Sequence, residues 1–101
     1  MTLAIGALAD AEYIVNLYGE TATLRGVVIS IAEPHSRFNT TDNRTISVRR
    51  ADGSEGTSGS TLPVRVIASA GSSEACAAVR TLLASGARLS ERARTALQAT
   101  L

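Results

Sequence analysis

The apolar residues of this chain change their spacing once, near residue 70, and that change limits the fold more than any other feature. Before it they recur every second residue in short runs; after it they recur at intervals of three and four. A period of two belongs to half-buried strands and a period near 3.6 to amphipathic helices. The chain therefore predicts an α+β fold: an antiparallel β-meander of about four strands, then a C-terminal αα-hairpin packed on one sheet face.

The strand-rich part covers residues 12–69. Residues 12–18 (EYIVNLY) combine aromatic and β-branched side chains and stop at Gly19-Glu20, which predicts a strand ending in a hairpin turn. Residues 21–31 predict a longer strand whose apolar parity switches from Ala22 and Leu24 to Val27, Ile29 and Ile31. Gly26 stands at the switch and predicts a bulge or bend there. In residues 44–50, Ile46 and Val48 alternate with Thr45, Ser47 and Arg49, the pattern of a strand with one wet face. Residues 63–69 predict a further strand, with Pro63 at the first position, where it is tolerated. Residues 33–43 and 51–61, rich in Thr, Asn, Ser and Gly, read as loops.

In the helical part, Ser72 is placed to cap a helix over residues 73–85, with Glu74 in its first turn and Gly86 ending it. Ala75, Val79, Leu82 and Leu83 form its apolar stripe. Ser90 caps a second helix over residues 91–100, with Leu89, Ala93, Leu97 and Leu101 on one face. A length of 101 residues suits a single domain over 1–101, and 45% hydrophobic against 19% charged residues argues for a folded chain.

Residue usage excludes several chemistries. All ten basic residues are Arg, so there is no P-loop lysine, no Schiff-base lysine and no Ser–Lys dyad. One His and one Cys leave no Cys/His zinc site and no internal disulfide. His35 stands beside Ser36, a poor geometry for a base and its nucleophile, and reads as a solvated loop histidine. Cys76, among alanines, reads as a small core residue rather than an activated thiol. The string Gly53–Gly59 (GSEGTSG) matches no phosphate-binding or calcium-binding spacing, and Glu55 in it would repel phosphate. No catalytic residue, cofactor site or metal site is expected, and the chain reads as non-enzymatic.

The net charge of +1 hides a segregation. Residues 1–43 carry five acids against Arg25 and Arg37. Residues 44–71 carry four Arg against two acids, and residues 72–101 repeat that ratio. An acidic front and a basic back suit pairing within the chain or head-to-tail contact between copies. No stretch approaches the ~18 apolar residues of a membrane span, and Met1–Ala9 lacks a basic leader, so a cytoplasmic or virion location is expected.

These features lead us to expect a structural or interaction protein acting through self-association or docking into a larger assembly, in the style of a small phage-type connector, tail or decoration subunit. The residues expected to make contacts are Arg37, Phe38, Arg49, Arg50, Arg88 and Arg92. The alternative partner is nucleic acid, read by the Arg residues of the helical hairpin, although Glu91 at the second helix's N-terminus and the scattered Tyr13, Tyr18 and Phe38 weigh against it.

Overall fold

The computed structural model describes residues 3–32, 45–54, 57–58 and 64–101. Among the described residues five strands come in the order β1 (Leu8–Ile14), β2 (Thr21–Ala32), β3 (Thr45–Arg49), β4 (Thr57–Ser58) and β5 (Val64–Ala68). Two helices follow, α1 (Ser73–Ala84) and α2 (Glu91–Gln98). Every strand pairing is antiparallel, and the sheet order is β4-β3-β2-β1-β5. The expected α+β arrangement is present. The meander runs from β1 to β4, and β5 then returns to the opposite edge beside β1.

The sheet curls tightly. Cα atoms of β4 come within 8 Å of those of β1, although β3 and β2 stand between them in the sheet. The strands wrap around an inner layer of Ala7, Ala9, Ala11, Leu24, Val28, Ile46 and Val48, all buried. Ala9 and Ala11 on the inner face of β1, with Ala7 just before it, keep this layer thin enough for the sheet to curve over itself. On the outer face Val27 packs with Val79 and Leu82 of α1 and Leu97 of α2, with Ile5 and Ile29 at the margin. One β-layer thus has an apolar interior and a second apolar seam beneath the helices.

Strand β1 corrects the expected range of 12–18: it begins and ends four residues earlier. Its inward residues are Ala9, Ala11 and the half-buried Tyr13, alternating with Asp10 and Glu12. The period of two is there, but alanine is a weak strand former, and the β-branched residues further on mark the segment falsely.

The bulge expected at Gly26 is also corrected. The β1–β2 register runs unbroken from Leu8↔Val27 to Ile14↔Thr21, with Ala9 opposite Gly26. The parity change in the sequence reflects burial of both faces of β2: Leu24 and Val28 turn inward, Val27 and Ile29 toward the helices. The register shift lies between Val28 and Ser30 on the β3 side, and it lets Val28↔Val48 and Ile31↔Ile46 both face inward. Gly26 answers a different need. A Cβ there would lie 2.2 Å from the Arg49 carbonyl oxygen and 2.9 Å from the Arg50 nitrogen, so the end of β3 crosses the strand where no side chain fits.

Both helices start as their caps predict. Ser72 Oγ accepts the Ala75 N–H at 3.3 Å, and Ser90 Oγ accepts the Ala93 N–H at 3.1 Å. Glu74 and Glu91 lie in the favourable first turns. Ala75, Cys76, Val79 and Leu82 of α1 and Ala93 and Leu97 of α2 are buried. The second helix ends at Gln98, and Leu101, expected on its apolar face, is half exposed.

Candidate interaction surface

Of the residues expected to make contacts, Arg37 and Phe38 lie outside the described residues, as does His35. Arg49 and Arg50 are half-buried where β3 runs into a tight turn. The Arg49 guanidinium donates to the Gly53 carbonyl at 3.1 Å, and the Gly53 N–H donates to the Arg50 carbonyl at 2.9 Å. Asp52 accepts from the Ser54 N–H at 2.9 Å and from the Ser54 hydroxyl. These hydrogen bonds, the hydroxyl first, hold the Asp52 carboxyl below its ordinary pKa. Gly53 packs against Ser85 and Ala87, so this turn meets the α1–α2 turn that carries Arg88. The turn after Arg49 and Arg50 and the turn that carries Arg88 are therefore neighbours. Arg92 is exposed on the first turn of α2.

Cys76 is buried, its thiol 3.4 Å from the Thr100 carbonyl oxygen, as a core cysteine would be. Among the described residues no group of three or more His, Cys, Asp or Glu gathers as metal ligands would. No helix among them is long and apolar enough to cross a membrane.

The most exposed apolar side chains among the described residues lie elsewhere, at the tip of the β1–β2 hairpin. Leu17 is fully exposed, Tyr18 is 91% exposed, and Ile14 and Val15 are at least half exposed. Burying Leu17 alone would be worth about 1.5–3 kcal/mol, so displaying it beside Tyr18 needs an explanation. The display is fixed by the turn. Val15 N–H donates to the Glu20 carbonyl at 2.9 Å and closes a four-residue loop over residues 16–19. Inside it the Asn16 side-chain oxygen accepts the Tyr18 N–H at 2.9 Å and the Glu20 N–H at 3.3 Å. Gly19, with φ +80°, takes the left-handed conformation that turns the chain back into β2.

Sequence reasoning placed Leu17 and Tyr18 in a strand. The overlooked signal is Asn16 and Gly19 three apart, the first and last positions of a common tight turn. A hydrophobic run crossing such a pair is a turn that displays its apolar residues.

At the other end of β2 a groove of about 260 Å³ opens between the strand and α2. Its walls are Ile5, Ile29, Ile31, Ala93 and Ala96, and Arg92 stands on its rim. The alanines leave the room, and Ile29, two residues beyond Val27 on the same strand face, points toward the helices. From Thr21 to Ser30 is nine residues, roughly 30 Å of strand, so tip and groove occupy opposite ends of the ribbon.

Charge differs between the hairpin segment and the second helical segment. Residues 11–24 hold Glu12 and Glu20 and no cation, whereas residues 88–98 hold Arg88, Arg92 and Arg94 against Glu91. Between them Asp10 and Arg25 form a two-pronged ion pair at 2.9 and 3.1 Å. The hydrogen bond from Arg25 holds the Asp10 carboxyl below its ordinary value, aided by the nearby charges of Arg25 and Arg65.

Comparison with models of known protein families, with curated proteins and with solved structures finds no match for this chain.

Proposed function

We propose that this chain is a structural protein without catalytic activity, working by association with copies of itself or by docking into a larger assembly. The observation that carries the reading is the hairpin tip, where Leu17 and Tyr18 stand in solvent on a turn held by the Asn16 side chain. A mobile loop would lose entropy on docking; a turn already closed by hydrogen bonds keeps more of the contact energy as affinity. The separation of Glu12 and Glu20 from Arg88, Arg92 and Arg94 supports contact between unlike ends. Among the described residues the edge of β5 away from β1 has no neighbouring strand, a further site for strand addition.

Within this reading, a small subunit of a phage-type particle (connector, tail or decoration component) suits a single small domain with charge segregated along its length. Neighbouring genes for capsid or tail proteins would support that identification.

Light scattering after gel filtration tests the function. The expected result is a mass above 10.4 kDa that rises with loading concentration. A constant monomer mass across the range contradicts self-association. Retention on heparin that falls steeply with salt would instead favour nucleic acid as partner.

A further inference from the structure

Among the described residues, two apolar features of the surface differ in shape: one projects and the other is recessed. We infer that they are the two halves of one contact, in which Leu17 and Tyr18 of one copy seat in the groove between β2 and α2 of the next, with Glu20 facing Arg92 across the rim. This rests on the self-association reading and adds to it which surfaces meet and with what symmetry.

Size, charge and position agree. At about 260 Å³ the groove falls just under the ~300–1,000 Å³ usual for small-molecule sites and suits one or two large side chains. Its walls of isoleucine and alanine match a leucine and the apolar body of a tyrosine, whose hydroxyl can remain at the rim beside Ser90 and Arg92. Glu20 adjoins the tip and Arg92 the groove, so docking brings opposite charges together. A tip-to-tip dimer would instead crowd the Glu12 and Glu20 side chains of both copies.

Position then decides the symmetry. The tip stands about 30 Å along β2 from the groove of its own chain, so the contact forms only between copies. Unlike surfaces at opposite ends make a heterologous interface, which leaves one tip and one groove unfilled after each addition. Growth continues until the rotation closes a ring or extends as a filament.

The test uses the full chain in complementary variants. Leu17→Ser/Tyr18→Ser removes the projection and keeps the groove; Ala96→Glu blocks the groove and keeps the tip. Each variant alone is expected to be a monomer by sedimentation velocity, and their equimolar mixture is expected to form a dimer that grows no further. In a second arm, Arg92→Glu is expected to weaken assembly at least tenfold, and Glu20→Arg in the same chain to restore it. Both of those side chains are exposed, so this arm decides the matter if Ala96→Glu does not fold. Wild-type assembly that all of these variants leave unchanged overturns the tip-in-groove contact and leaves self-association standing. A wild-type chain that stays monomeric at millimolar concentration overturns both.

Discussion

The Asn16 side-chain oxygen accepts the Tyr18 backbone N–H at 2.9 Å, and through that bond a polar residue sets the direction of the most exposed aromatic side chain in the described structure. The same oxygen reaches the Glu20 N–H, so one carbonyl ties both arms of the turn. Asn16→Ala should cost about 1 kcal/mol of stability by urea unfolding, as expected for exposed hydrogen bonds, while weakening self-association several-fold in light scattering. Unchanged association in the variant would show that the turn's geometry does not matter to the contact.

Gly26 should tolerate no side chain. A Cβ would stand 2.2 Å from the Arg49 carbonyl oxygen, and backbone yields less easily than a side chain. Gly26→Ala is expected to lower stability by about 3 kcal/mol, the upper range for overpacking, with a matching fall in the urea midpoint. A wild-type midpoint would mean that β3 can move off β2 at little cost.

The seam under the helices depends on Leu82, which is fully buried against Val27, Val79 and Leu97. Leu82→Ala should destabilise by about 2–5 kcal/mol. By contrast, Ser90→Ala should cost about 1 kcal/mol, because it removes only the cap on α2. Thermal unfolding of both variants checks the order, and an inverted ranking would contradict the packing described here.

Acid should weaken the fold through Asp10. Its carboxyl is held below the ordinary value of 3.8 by the Arg25 hydrogen bond. The unfolded chain therefore takes up a proton first as pH falls. The pair's contribution is complete above the ordinary carboxylate range and is lost as pH drops from about 4 through the folded-state pKa. Asp10→Asn should flatten that part of the stability curve and leave the share of Asp52. An unaltered acid profile would show that the ion pair does not contribute.

What could be read in the sequence was what neighbours along the chain decide. Ser72 and Ser90 announce their helices because a cap acts within three residues, and Ile46 and Val48 mark β3 because only one of its faces is apolar. Strand β1 was displaced because its inward residues are alanines, which a curled sheet needs and strand propensity does not reward. The parity change in β2 looked like a bend because two buried faces and one bent face leave similar traces in sequence. Strand β4, two residues long, is too short to carry a period. The groove joins Ile29 and Ile31 to Ala93 and Ala96, more than sixty residues apart in the chain, and only the packing of α2 on β2 brings them together.

In the proposed contact the hairpin tip and the groove beside α2 are used together. Amide NMR spectra of the wild-type chain, recorded as it is concentrated from micromolar to millimolar, test it most directly. Resonances of Leu17 and Tyr18 and those of Ala93 and Ala96 are expected to shift or broaden together, with one midpoint. Changes confined to one of the two surfaces, or absent from both while the mass rises, would contradict it.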